Sequence, residues 1–231
     1  MASAPSLLSR LFQRRVLWWP TPLGWMLLVS LWIVPILLWG LWGERFLSYS
    51  DPRPAQVLVV EGWIGADGIT AAKAEFLHGG YRYIVATSGL SGEPWSPRRW
   101  SYAVEAEEQL LRMGLTRDQV ILARPRDTET HRTFESALAV RAALRARGLQ
   151  DAAANVFTIC AHARRSRLVF AKVLEAKVGV VSWLPPGYDK EYWWASSVRA
   201  DDLIKETVGY LFELLLNSGR TSNSPPAAAT P

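Results

Sequence analysis

The segment AHARRSR at residues 161–167 sets a histidine and three arginines side by side. It follows an apolar run and precedes a helical pattern, so Arg164, Arg165 and Arg167 fall near a helix start. Cations are unfavourable there, because the helix macrodipole is already positive at that end. A bound anion would relieve the repulsion and accept from the backbone N–H groups. Arg165 shares a helical stripe with Val169 and Val173, which directs it over the strand ends. Arg164 and Arg167 are expected in solvent. His162 has the side chain whose charge changes near neutral pH, which suits a proton donor or acceptor.

A second polar group spans residues 124–136, RPRDTETHRTFES. Arg126 or Arg132, together with Arg165, would hold a phosphate by charge-assisted, bidentate bonds. Thr133 shares a face with Ala137, Val140 and Leu144, so its hydroxyl starts a buried stripe; a plain N-cap role explains it as well. His131 could meet His162 if the third and fourth strands are neighbours, and with Asp127 or Glu61 the pair could hold a divalent cation. No HExxH spacing supports that, and no metal is assigned. Glu61 ends an apolar strand just before Gly62 and Trp63. An acid there, beside arginines, is a salt-bridged positioner or a base. Glu105, one turn into a later helix, is the second acid expected to orient the cations, although a solvent-facing role explains it equally. Ser88 and Gly89 close the second strand and complete the candidate ligand residues. Glycines at 62, 65 and 68 do not form a GxGxxG fingerprint, and there is no Walker loop or nucleophile elbow, so no cofactor is assigned. Cys160, the single cysteine, excludes an internal disulfide and is expected as a buried structural thiol.

These residues need a scaffold, and the rest of the chain supplies one. Strand-like runs at 56–61, 83–87, 120–123, 155–160 and 178–183 alternate with helical patterns at 69–78, 101–113, 133–147 and 164–176. A closing helix is expected over 200–216. The fold class this implies is α/β: a Rossmann-like, mostly parallel sheet of about five strands, covered by helices on both faces. In such sheets ligands bind beyond the carboxyl ends of the strands. The clusters above all fall there.

Ahead of this domain, residues 16–43 carry no ionisable side chain and are long enough for one N-terminal transmembrane helix. Tryptophans 18, 19, 25, 39 and 42 stand toward its ends, as interfacial rings do. The run closes on WGERF with no small-x-small cleavage site, so an uncleaved anchor is expected rather than a signal peptide. Arg10, Arg14 and Arg15 form a cytoplasmic basic arm, 1–15, which places the domain outside the inner membrane. Residues 44–54 are expected as a linker, 55–216 as the domain and 217–231 as a disordered tail. The formal charge of +5 is uneven: residues 1–50 hold four arginines and one glutamate, the remainder 22 basic and 20 acidic residues. The domain is nearly neutral, which excludes a nucleic-acid surface.

The order VLVVEGW, a strand ending in SG, SYAVEAEEQLLRMG, THRTFESA and TICAHARRSRLVF resembles the YdcF/SanA/ElyC-like family of bacterial envelope proteins over roughly residues 55–216. The resemblance implies a Rossmann-like domain behind one membrane helix, with the characteristic positions at Glu105, Thr133, Glu135, His162 and Arg165. It departs from the family in Arg132, where asparagine is usual, and in Glu61-Gly62-Trp63, where the turn is usually glycine-rich. It implies a role in envelope or surface-polymer biogenesis, with a polyisoprenyl-phosphate ligand as one setting. The partners expected are the bilayer, a phosphorylated envelope precursor and a membrane protein. Two alternatives stand beside it: a non-enzymatic accessory module for a membrane-embedded enzyme, favoured by Trp63, Trp95, Trp100, Trp193 and Trp194, and a nucleotide-type cofactor-binding domain.

Overall fold

The computed structural model describes residues 19–91, 99–128, 130–174, 176–190 and 192–216. The basic arm, Trp18, Trp95 and the tail at 217–231 lie outside the described residues. The chain divides into two units, Met1–Leu41 and Trp42–Pro231. Among the described residues the first is mostly helix α1, Pro22–Leu47, whose residues from Trp42 on belong to the second unit. Its apolar side chains are mostly exposed through Trp42, with Leu47 buried at its end, and it is long and apolar enough to cross a membrane. Pro35 lies inside it without ending it, as membrane helices allow.

The second unit is a five-stranded parallel sheet in the order β3-β2-β1-β4-β5. The strands are β1 (Val57–Glu61), β2 (Tyr83–Thr87), β3 (Val120–Ala123), β4 (Ala154–Ile159) and β5 (Val178–Trp183). All four valine and leucine side chains of β1 are fully buried, since both faces are covered and no apolar–polar alternation is needed. Leu58 and Val60 face α2 (Gly65–His78) and α3 (Tyr102–Arg112). Val57 and Val59 face α4 (Arg132–Ala146) and α5 (Ala163–Leu174). A closing helix, α6 (Ser197–Leu215), packs on α5. The Rossmann-like α/β expectation therefore holds.

From β1 the chain builds outward through β2 to β3, then returns across the sheet to β4. The strand order reverses between β1 and β4, and this class of sheet binds ligands beyond the carboxyl ends of the strands at such a point. Strands 3 and 4 are separated by β2 and β1, which removes the premise for a meeting of His131 and His162.

The expected linker at 44–54 is instead built into the domain. Leu47 is fully buried, and Asp51 pairs with Val180 as an antiparallel bridge along the edge strand β5. Asn155 holds the following turn: its Oδ1 accepts from Arg53 N at 3.0 Å, and its Nδ2 donates to Arg53 O at 2.8 Å and to the Tyr81 hydroxyl at 2.8 Å. Gly179 permits this close crossing, because a Cβ there would lie 2.7 Å from Asp51 O.

Candidate functional site

The sheet delivers Glu61 at the end of β1 and, beyond β4, a short 3-10 turn at Cys160–His162 followed by α5. Glu61 is 2% exposed, and its Oε2 accepts from Ser166 Oγ at 3.0 Å. His162 stands between two carboxylates. Its Nδ1 lies 2.8 Å from Glu206 Oε1, and its Nε2 lies 3.5 Å from Glu61 Oε2. That second distance is an ion-pair distance without hydrogen-bond geometry, and Nε2 has no hydrogen-bond partner. Trp63 presents its ring to the imidazole in an edge contact, with centroids 4.9 Å apart. Thr158 Oγ1 is buried at the same carboxylate, also without a bond of good geometry.

Arg165 closes the network. Its Nε donates to Glu206 Oε2 at 2.6 Å and its Nη2 to Oε1 at 2.9 Å, a bidentate pair, while Nη1 donates to Thr133 Oγ1 at 3.4 Å. The approach needs Gly209, since a Cβ there would lie 2.8 Å from Arg165 Cδ. Two cations and two anions thus share one buried cluster, so their charges cancel. With Nδ1 giving its proton to Glu206, the 3.0 Å contact between Arg165 Nη2 and Nδ1 sets two donors on one carboxylate oxygen.

Burial alone would lower the His162 pKa, but Glu61 and Glu206 outweigh burial and the opposing Arg165, pushing it up to about 9. Burial would raise Glu206, but His162 and Arg165 bring it down to about 2. Glu61 is likewise lowered, with His162 outweighing burial and Ser166 assisting. His162 is therefore an imidazolium at neutral pH. It is a proton donor there, which corrects the expectation that its charge changes near pH 7.

The other expected residues divide clearly. Thr133 is buried and in contact with Arg165; it is not an N-cap, since α4 begins one residue earlier behind His131. Arg132 lies on the rim, donating from Nη2 to Leu90 O at 3.1 Å beside Gly89. Ser88 is buried at the end of β2, and Gly89 is half-buried. Arg126 and His131 are exposed, and His131 adopts a left-handed backbone (φ 55°) with its ring 6.3 Å from Phe212. Gly62 is pressed against the Tyr102 carbonyl, where a Cβ would come to 2.3 Å, so its role is packing. Glu105 is exposed and accepts from Trp100 Nε1 at 2.8 Å; it does not join the cluster.

Arg164 and Arg167 are not free in solvent. Arg164 donates to Phe46 O at 2.6 Å and stacks over the Phe46 ring at 3.8 Å. Arg167 pairs with Asp51 at 3.1 Å. Cys160 is buried beneath the site, and burial pushes its thiol up to about 12. Among the described residues no group of three His, Cys, Asp or Glu side chains could hold a metal ion.

The sequence reading missed Glu206. Its signal is a matched spacing: Arg165 and Lys172 on α5 lie seven apart, as do Glu206 and Glu213 on α6, and both pairs meet. It also missed Glu44, which Arg199 grips at 2.6 and 2.8 Å while Tyr188 donates to it at 2.6 Å.

Fold and site together define a Rossmann-like α/β domain with Glu61, His162, Arg165 and Glu206 gathered at the switch point. No family model, no curated protein and no solved structure matches the chain.

Proposed function

We propose that this chain is a membrane-anchored, extracytoplasmic domain of the YdcF/SanA/ElyC-like kind, acting in envelope or surface-polymer biogenesis. The carboxyl ends of β1 and β4 would take a phosphorylated ligand, with a polyisoprenyl phosphate as the natural case for a site tethered to a bilayer. The observation that carries this reading is His162, a buried imidazolium at the switch point whose Nε2 makes no hydrogen bond of good geometry, with the Glu61 carboxylate 3.5 Å away. It would donate to a phosphate oxygen or to a leaving group. Arg165 is committed to Glu206 and so positions the imidazolium. The grip on phosphate falls to Arg132, beside Gly89 and at the positive end of α4, with Arg126 at the rim.

A thermal-shift panel on the detergent-solubilised chain tests this. A ligand at 100 times its Kd stabilises by about 2.7 kcal/mol, a rise of several degrees in Tm. Pyrophosphate or a short-chain polyprenyl phosphate should produce that rise, and Arg132→Ala should abolish it. Silence toward every phosphate ester would overturn the reading.

A second reading is a non-enzymatic accessory module. The stacked, exposed Tyr192 and Trp194 rings and the charge balance of the buried cluster favour it. Loss of cellular function on changing Tyr192 and Trp194, with His162 and Arg132 variants silent, would select it.

A further inference from the structure

We infer that the outward face of α6 is a bilayer-docking surface that lies in the headgroup–acyl boundary of the membrane. The inference rests on the reading of α1 as a membrane span. Helix α6 is built inside out. Its domain-facing side carries Arg199, Glu206, Gly209 and Glu213, held by ion pairs to Glu44, Arg165 and Lys172. Past an exposed Asp201–Lys205 pair in its first turns, its outward side is aliphatic: Ile204, Val208, Leu211 and Leu215 recur at helical spacing and are 63%, 63%, 46% and 75% exposed. A soluble surface rarely leaves so continuous an apolar stripe uncovered.

Two features identify what covers it. Phe46, just past the uncharged run of α1, meets Tyr210 of α6 edge-on with centroids 5.7 Å apart. Helix α6 therefore passes within one side-chain contact of the residues that follow the uncharged run, by its domain-facing side. At the other end, Tyr192 and Trp194 stack with centroids 4.5 Å apart, exposed, just before the N-cap Ser196. Tyrosine and tryptophan favour the interfacial layer, and an amphipathic helix lies in that plane with its apolar face down. The stripe itself lacks the Trp, Tyr and Arg anchors that dominate protein–protein contacts. That composition suits acyl chains better than a second copy or a protein partner.

The test uses the full chain in phosphatidylethanolamine–phosphatidylglycerol vesicles, with an environment-sensitive fluorophore on Ile204→Cys, Val208→Cys or Leu215→Cys. Lipids spin-labelled near the headgroup should quench all three. Glu108→Cys on exposed α3 should stay bright, and Leu31→Cys on α1 should respond to a deep acyl label. Quenching at Leu31→Cys without quenching on α6 would overturn the inference while leaving the span intact. No quenching at Leu31→Cys would remove the span, and the inference with it. Disulfide-linked dimers through Val208→Cys without lipid quenching would replace the bilayer with a second copy.

Discussion

Replacing Glu206 by glutamine tests whether the switch-point cluster is an electrostatic unit. The side chain keeps its shape but loses the charge that His162 and Arg165 share. Glu206 falls from an ordinary 4.5 to about 2 in the folded protein, which corresponds to about 3 kcal/mol at roughly 1.4 kcal/mol per pKa unit. Breaking a buried pair by removing one partner costs about 3–5 kcal/mol, in the same range. For a domain of this size that is a fall in Tm of about 6–12 °C. The pH profile gives an independent readout. Glu206 is depressed, so its contribution is present above pH 4.5 and is lost as pH falls through about 2. His162 is raised, so its contribution is complete below pH 6.5 and is lost as pH rises through about 9. Stability from the cluster is thus greatest between pH 4.5 and 6.5 and declines on the alkaline side. In Glu206→Gln the imidazolium loses one of its two carboxylates, so the decline between pH 6.5 and 9 should shrink. Denaturant titrations of the detergent-solubilised chain, repeated across pH, measure both effects. An unchanged Tm together with an unchanged alkaline slope would refute the electrostatic account.

Other perturbations reach different parts of the structure. Asn155→Ala removes three hydrogen bonds that pin Arg53 and Tyr81 and should cost about 2–4 kcal/mol in urea denaturation; a loss under about 1 kcal/mol would show that residues 51–53 are not held by it. Gly62→Ala drives a Cβ into the Tyr102 carbonyl and should destabilise by about 1–3 kcal/mol, with a neutral melt contradicting the packing role. Cys160 should resist maleimide at pH 7.5 and react at once on unfolding, since burial holds the thiol protonated; rapid labelling of the folded chain would contradict it.

The sheet was legible because its strands are short apolar runs. Tyr83–Thr87, Val120–Ala123 and Val178–Trp183 begin and end where the sequence places them, and the other two strands differ by a residue at one or both ends. Burial on both faces leaves no competing period to confuse them. His162, Glu61 and Arg165 were also legible, because Glu61 ends a strand and the other two lie in the turn and helix start that follow one. Glu206 was not. The row Ile204, Val208, Leu211 and Leu215 marks the face that a soluble helix would bury, which would send the acids outward; here the acids point in, because Arg165 and Lys172 await them. Residues 44–54 look like a linker by composition, yet Asn155 and Arg167 bind them to the sheet edge from more than 100 positions away. His131 was misplaced because spacing along the chain does not reveal strand order, and β3 lies at an edge remote from β4; Glu105 was misplaced because it faces solvent and Trp100.

Equilibrium binding of a fluorescent short-chain polyprenyl phosphate to the full chain in detergent tests the ligand assignment most directly, with Arg132→Ala and His162→Gln measured alongside. The account predicts saturable binding that pyrophosphate competes away, weakened about tenfold or more in each variant, the loss of about 1.4 kcal/mol expected for one charge-assisted contact. Equal affinity in all three proteins, or no saturable binding to the wild-type chain, would contradict it.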